Sequence, residues 1–297
     1  MVPALRKSFN EHFTTAHYEN FLKDLHNVHP GSIEFRVAET PIFIPKDFTQ
    51  KMLDACEHII DVITGPSFKE LTQSAIPKNL SVPNENAHPH FIAFDFGICA
   101  DNTGAYEPQL IEMQGFPSLF AFQVLLPEIS RKHFPVPENY SCYLNQYDRK
   151  SYLELLKKII LGDEQPEQVI LLEIFPQQQK TRIDFYCTED YLGIKPVCLT
   201  ELIKDGNQLF YMNNGKKPSS AEFTTALFLT TCNNKVQRYN KKVLFYLKTL
   251  ILNGSHTQTG FTASANTPCR LSGIPTYPKR IFYRRLNKCL PIWKIMC

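Results

Sequence analysis

The sequence predicts a mixed α/β protein, and three patterns along the chain carry that prediction. The N-terminal part, residues 1–165, has an amphipathic helix followed by a hairpin, which is an α+β arrangement. The middle part, 166–217, alternates strand, helix and strand at the spacing of a Rossmann-like parallel sheet. The last part, 218–297, has almost no helix caps or periodic apolar faces, so we expect an irregular basic tail.

The N-terminal part contains the first predicted elements. Residues 47–64 place their apolar side chains on one helical face. Ser67 and Glu70 have the spacing of a capping box and predict a short helix. The β-like runs 91–98 and 108–114 are separated by turn-forming residues, which predicts a hairpin.

Two further helices follow the hairpin. Ser118 has the position of a helix cap, and we expect a helix from there to Leu125, where Pro127 interrupts it. Residues 152–160 repeat apolar side chains at helical spacing and predict a helix that ends at Gly162.

The middle part predicts the parallel sheet. EQVILLEI at 167–174 is typical of a buried strand, 181–193 of a helix, and 194–200 of a second strand. We expect a third strand at 207–212. Neither GxGxxG nor GxxxxGK[ST] occurs, so the sequence contains no dinucleotide fingerprint and no P-loop.

Length and composition fit a globular protein. The chain has 297 residues, of which 43% are apolar and 21% charged, and this balance excludes an intrinsically disordered protein. No apolar stretch approaches the roughly 18 residues of a membrane span, so we expect no membrane partner. The opening MVPALRKSFNEHF lacks the apolar core of a signal peptide, and the nine cysteines form no CxxC pair. These features predict a cytoplasmic protein.

The net charge of +3 hides a sharp asymmetry. Residues 1–217 carry 20 Lys and Arg against 28 Asp and Glu, whereas 218–297 carry 12 Lys and Arg and a single acid, Glu222. Such an asymmetry usually indicates a basic tail that binds nucleic acid or an acidic membrane.

The segment EPQLIEMQGFPSLFAFQ at 107–123 is the most informative part of the sequence. Glu112 and Gln114 are two residues apart at a predicted strand end, and the strand period of two puts both side chains on one face. Carboxylate and amide oxygens of this kind bind Mg²⁺. The turn at 115–118 leads into a helix start with the polarity to hold an anion. The plainer alternative is a pair of solvated strand residues.

This segment resembles the ligand strand of circularly permuted ATP-grasp ligases, of the glutathione synthetase and glutathionylspermidine synthetase kind. In that family a Glu-x-Asn on a strand, followed by a Ser-containing turn, binds magnesium and the peptide substrate. Glu112 matches the acid, Gln114 stands where the family has Asn, and Ser118 lies in the turn. The resemblance implies that Glu112 and Gln114 are metal ligands and that Ser118 binds substrate.

The resemblance extends over residues 1–217, where the chain looks most like an uncharacterised bacterial ATP-grasp-like family. The stretch FIAFDFGICADNTGAYEPQLIEMQ is similar to the family's hairpin and implies that Asp95 faces the same pocket. The later strand–helix–strand region is similar to its Rossmann-like substrate-side domain, in which the first helix start touches substrate. Thr181 and Asp184 occupy that place, which implies that they bind substrate.

The intact family implies a chemistry and two cofactors. ATP and Mg²⁺ convert a carboxylate to an acyl phosphate, which an amine attacks to give an amide. This needs lysines and a glycine-rich loop in an ATP-grasp half, yet the sequence beyond Gly215 has only Gly254, Gly260 and Gly273, which are far apart. We therefore expect a truncated ligase relative that lacks the ATP site and is inactive alone. Its implied substrate is a small peptide-like molecule or an amino acid.

The tail has the features of a sequence translated out of frame. In the resembled family the next strand reads approximately RIYNRVIFDEL, and its arginine reaches the substrate. If EFTTALFLTT (222–231) is encoded as GAA TTT ACA ACC GCG TTA TTT TTG ACG AC, reading from the third base gives IYNRVIFDD. The same offset allows 253–276 to read WVPHPNWFYRISKYTLPFIRHPY, which resembles the segment before the family's ATP-binding half. One base change between about Gly215 and Glu222 accounts for both stretches and for the charge jump.

Two alternatives stay open. A genuine basic tail, in which KRIFYRRLNK at 279–288 interleaves aromatic and cationic residues, fits a single-stranded nucleic-acid binder. A shifted reading frame explains the basic composition of the tail without any selection for binding. We therefore do not expect a nucleic-acid partner. The other alternative is a module that binds a peptide-like ligand without turnover.

Overall fold

The computed structural model of the chain describes residues 2–72, 74, 91–114, 119–205, 208–212, 225–228 and 295–296. Its helices are α1 (Pro3–His12), α2 (Thr15–Val28), α3 (Lys46–Thr64), α4 (Phe68–Thr72), α5 (Phe122–His133), α6 (Arg149–Leu161) and α7 (Arg182–Leu192). Its strands are β1 (Ala93–Ala100), β2 (Tyr106–Gln114), β3 (Val169–Glu173), β4 (Lys195–Cys198), β5 (Ile203–Asp205), β6 (Gln208–Phe210), β7 (Thr225–Phe228) and β8 (Ile295–Met296). The predicted mixed α/β class is confirmed.

The described elements divide into two compact units. The helical–sheet unit contains α1, α2, α5, α6, α7 and the strands β3 to β7. The hairpin unit contains α3, α4, β1, β2 and β8. The linear boundaries that we inferred from the sequence stay predictions.

The hairpin unit is built by α3 and the β1–β2 hairpin, both of which the sequence predicted. Phe48, Met52 and Cys56 recur every four residues along α3 and are buried against Phe94 and Phe96 of β1. The strands β1 and β2 pair antiparallel, and β8 pairs with the other edge of β1.

The helical–sheet unit has an aromatic core under its helices. Phe9, Phe21 and Phe134 come from α1, from α2 and from the residue after α5. The ring centroids of Phe9 and Phe134 lie 5.1 Å apart, and those of Phe21 and Phe134 lie 5.4 Å apart. Burying each of these rings stabilises the unit by about 1.5–3 kcal/mol.

The predicted strand–helix–strand element is present. The strand β3 pairs in parallel with β4, and α7 connects the two. Gly193 ends α7 in the left-handed conformation (φ 73°), which glycine adopts without the steric cost of a side chain. On its other edge β3 pairs in parallel with β7, so the strand order is β4–β3–β7.

The helix expected to stop at Leu125 is longer than predicted. The helix α5 begins at Phe122, passes through Pro127 and ends at His133. Proline removes only one helical hydrogen bond, and four side chains of α5 are buried: Phe122, Val124, Leu125 and Ile129. The burial of this face explains why the helix continues past the proline.

The strand predicted at 207–212 is present, but it does not belong to the parallel sheet. The segment at 207–212 contains β6, which pairs antiparallel with β5 and forms a two-stranded sheet. A parallel crossover needs a dozen or more residues, and the connection from β4 is too short for one. The strand that joins the parallel sheet is β7, within the stretch FTTALFL at 223–229.

Most of the tail lies outside the described residues, so the predicted irregularity of 218–297 stays a prediction there. Within the part of the chain that is described, no helix is long and apolar enough to cross a membrane. The free cysteines there are Cys56, Cys142, Cys187 and Cys198, and Cys99 is disulfide-bonded. Cysteine usage therefore does not by itself assign a compartment.

Candidate functional site

The β1–β2 hairpin brings three of the predicted site residues to one face. In the strand register Asp95 lies directly opposite Glu112, and Gln114 is two residues further along β2. Because opposite residues of an antiparallel pair point to the same side, the two carboxylates and the amide share a face. The Gln114 side chain donates a hydrogen bond from Nε2 to Glu112 Oε1.

The opposite face of the hairpin is apolar, and a β-bulge interrupts the strand pairing beside the polar residues. Phe94 and Phe96 of β1 face α3 together with Leu110 and Met113 of β2. The register shifts between Asp95 and Phe96, so that β2 carries one extra residue, Ile111, which is exposed. Such a bulge twists the strands and re-aims the side chains beside it.

The polar face offers oxygen ligands for a hard cation. Glu112 is exposed, whereas Asp95 and Gln114 are half-buried. Mg²⁺ is commonly held by one or two carboxylates together with waters and substrate phosphates. No group of three or more His, Cys, Asp or Glu residues suited to a metal occurs in the described ranges. The assignment of Glu112 and Gln114 as metal ligands stays a prediction.

The predicted substrate residues have different positions. Ser118 lies outside the described residues. Thr181 is half-buried at the position before α7, where its side chain makes no capping hydrogen bond, and its carbonyl accepts from the Asp184 amide at 3.0 Å. Thr181 and Asp184 belong to the helical–sheet unit, whereas Asp95, Glu112 and Gln114 belong to the hairpin unit. The assignment of Thr181 and Asp184 as substrate-binding residues stays a prediction.

Asp184 is buried, and its carboxylate holds the start of α5. Oδ2 accepts a hydrogen bond from the Leu119 amide at 2.9 Å, and Oδ1 accepts from the amides of Ala121 and Phe122 at 2.9 Å each. Burial raises the pKa of Asp184, and the hydrogen bonds from these three amides offset only part of that rise. The sequence predicted that this helix start could hold an anion, and in the structure its amides donate to the carboxyl group of Asp184.

Tyr152 of α6 holds the same segment, a contact that no pattern in the sequence predicted. Its hydroxyl donates to the Phe120 carbonyl at 2.9 Å, and burial raises the pKa of the phenol. Together, Asp184 and Tyr152 bind four backbone groups of residues 119–122. That segment follows the predicted ligand turn at 115–118, which lies outside the described residues.

The carboxyl end of β3 is a second polar cluster that the sequence analysis missed. Glu173 is 2% exposed, and its Oε1 accepts from the Ile174 amide at 2.6 Å. Burial raises the pKa of this carboxyl group to about 8. Across the sheet lies Cys198, whose sulfur accepts from the Phe175 amide at 3.3 Å and lies 3.0 Å from Thr200 Oγ1. A glutamate at the end of an otherwise apolar run was the only available signal.

Comparison with known proteins gives one structural likeness. No protein-family model matches the chain, and no curated protein matches it. Among solved structures, the chain is similar to a glutathione synthetase-like effector of Globodera pallida in its apo form, with a TM-score of 0.46 and 14% identity. The likeness covers 82% of this chain and 69% of that chain. Similarity at this level does not by itself show a shared activity.

Proposed function

We propose that the chain is a relative of ATP-dependent carboxylate–amine ligases that keeps the substrate side of such an enzyme and is inactive alone. The observation that carries the proposal is the arrangement on the hairpin, where Glu112 lies opposite Asp95 and accepts from Gln114. This is the strand on which the sequence resembles the ligand strand of ATP-grasp ligases.

The chain's own residues would hold Mg²⁺ and orient a ligand. The Asp95 and Glu112 carboxylates supply two oxygens from opposite strands, and the Gln114 amide fixes the orientation of Glu112. Bound Mg²⁺ would offset charge on a phosphoryl or carboxylate group at this face. A small peptide-like or amino-acid ligand carries such a carboxylate.

Metal binding tests this proposal directly. Titration of the purified chain with Mn²⁺, followed by electron paramagnetic resonance, should detect a site that E112Q weakens at least tenfold. The matched control is E107Q, because Glu107 is an acid on the same strand, five residues earlier, opposite Cys99. Equal affinity in all three proteins would remove the hairpin face as the metal site.

Whether this chain binds ATP is tested separately. Because the sequence beyond Gly215 lacks a phosphate-cradling loop, we expect no ATP binding above background in calorimetry. Sequencing the gene across codons 210–225, and restoring the other frame, should yield a longer ATP-grasp half that binds ATP. Micromolar ATP binding by this chain would contradict the proposal that it is inactive alone.

A basic tail that binds nucleic acid is the second candidate function. The observation in its favour is the charge of residues 218–297, with 12 cations and one acid. Binding of single-stranded nucleic acid that weakens steeply with salt would support it, because each phosphate contact releases counterions. Absence of binding at low salt would remove it.

A further inference from the structure

The carboxyl edge of the parallel sheet contains a chain of hydrogen bonds that begins at Glu173. Its carboxyl group accepts from the Ile174 amide, and the next amide, that of Phe175, donates to Cys198 Sγ. The same sulfur lies 3.0 Å from Thr200 Oγ1. Glu173 and Cys198 are register partners, and both are 2% exposed. The buried carboxyl group therefore lies next to the backbone that covers a buried thiol.

The backbone at this edge is strained. Phe175 has a φ of 51°, a left-handed conformation that is unfavourable for a bulky side chain. Its amide donates to Cys198 Sγ at 3.3 Å. Gln179 adds support, because its Nε2 donates to the Ile174 carbonyl at 2.9 Å. Release of Glu173 would let the strained residue relax and give up its contact with the sulfur.

The surroundings of Glu173 contain few groups that could share or offset its charge. Cys198 faces it from β4, and Glu201, in the turn after β4, accepts from the Cys198 amide at 3.3 Å. The strand β7 and the turn at 176–178 contain no titratable residue. Among the described residues no cation lowers the pKa of Glu173, and burial is the reason for its rise to about 8.

We propose that this edge is a pH-sensitive switch in which neutral Glu173 stays buried, and ionised Glu173 leaves the interior and uncovers the Cys198 thiol. The inference is independent of the proposed ligase relationship, because it rests on the parallel sheet alone. Its consequence is a thiol that becomes reactive toward electrophiles above neutral pH and stays protected below it.

The direction of the switch follows from proton linkage. The closed edge keeps the Glu173 proton up to a pKa of about 8, whereas an exposed glutamate releases it near 4.5. At any pH between these two pKa values, opening of the edge therefore releases a proton, and rising pH favours the open edge. The open fraction grows roughly 50-fold between pH 6 and pH 8 on these values, and it levels off above 8.

Alkylation of the full-length chain tests the switch. The probe is iodoacetamide at pH 6, 7 and 8, read by peptide-resolved mass spectrometry, for the wild type and E173Q. Rising pH increases the alkylation rate of every cysteine, because it forms more thiolate. The alkylation rate of Cys198 in the wild type is therefore divided by its rate in E173Q, in which residue 173 cannot ionise. We expect this ratio to rise roughly 50-fold from pH 6 to pH 8. Cys142, an exposed thiol that reacts without any opening, is the internal control and should show a constant ratio.

A second measurement uses the wild type alone. Between pH 6 and pH 8, hydrogen exchange of the amides at 170–178 should accelerate by more than the intrinsic exchange rate of an unprotected amide does. Exchange in α2 should accelerate only as much as that intrinsic rate. A constant Cys198 ratio between the two proteins would overturn the switch. So would equal acceleration of 170–178 and α2.

Discussion

The β1–β2 hairpin and the β3–β4–β7 sheet accommodate polar side chains in opposite ways. The hairpin has one apolar face and one polar face, so Glu112 is exposed and Asp95 half-buried. The strand β3 is buried at all five positions, so Glu173 at its end has lost most of its water. An antiparallel pair can face solvent on one side, whereas a parallel sheet covered by helices cannot. The same residue type is therefore suited to ligand binding in the hairpin and to structural roles in the sheet.

This difference separates the expected effects of mutation. A carboxylate that keeps its water contributes little to folding, so its removal should change binding and leave stability nearly unaffected. A carboxylate that has lost its water must be hydrogen-bonded or neutral, so its removal should change stability first. The variants below test whether the two regions follow this division.

Asp184→Ala should have the largest effect. The substitution leaves three amides of residues 119–122, two of them buried and one half-buried, without their acceptor, and we expect a loss of about 4 kcal/mol in the free energy of unfolding. Urea unfolding followed by circular dichroism measures it. The control is D190N on the same helix, because Asp190 is half exposed and pairs with His29. Its loss should stay below about 1 kcal/mol. A similar loss in both variants would contradict the capping role.

The pH dependence of Glu173 should be the next largest effect. Its pKa is raised to about 8 from 4.5, so its stabilising contribution is complete below 4.5 and is lost as the pH rises through 8. Between pH 6 and pH 8 the wild type should lose about 2 kcal/mol relative to E173Q. Urea midpoints of both proteins at each pH give the difference. Parallel curves would show that the carboxyl group is already ionised at pH 6.

The sequence predicts those features of the two regions that follow from a local periodicity of side chains. The four-residue spacing of Phe48, Met52 and Cys56 predicted α3. The alternation along β2 placed Glu112 and Gln114 on one face, and the structure has them hydrogen-bonded there. Both predictions depend on neighbours within a few residues, where the backbone geometry of a helix or strand decides which side chains meet.

The features that the sequence did not predict depend on contacts between distant residues. Asp184 meets the amides at 119–122 across more than 60 residues, and Tyr152 meets Phe120 across 32. No local period marks such a pair, because each residue type has an ordinary alternative on a helix surface. The failure at 207–212 has the same origin, since an apolar run shows a strand but not the strand with which it pairs.

Tyr152→Phe should have a moderate effect and sharpens the role of the 119–122 segment. It removes one hydroxyl from a buried hydrogen bond to the Phe120 carbonyl, and we expect a loss of about 1 kcal/mol. The control is Y143F, because Tyr143 is a neighbouring tyrosine whose ring centroid lies 5.2 Å from that of Tyr152. Equal stability of wild type and Y152F in urea would show that water replaces the hydroxyl.

Glu112→Gln should have the smallest effect on stability, and the sign is informative. Like charges directly opposite in a strand pair are destabilising, and Glu112 lies opposite Asp95. Without divalent cations we therefore expect E112Q to be more stable than the wild type by about 0.3 kcal/mol. Glutamine keeps the oxygen that accepts from Gln114, so that hydrogen bond should persist.

Millimolar Mg²⁺ should reverse the order of stability of wild type and E112Q, because a bound cation stabilises only the folded wild type. Urea midpoints with Mg²⁺ and with a chelator give both values, and E107Q should follow the wild type in both. If Mg²⁺ shifts none of the midpoints, the polar face of the hairpin is solvated surface and not a ligand site.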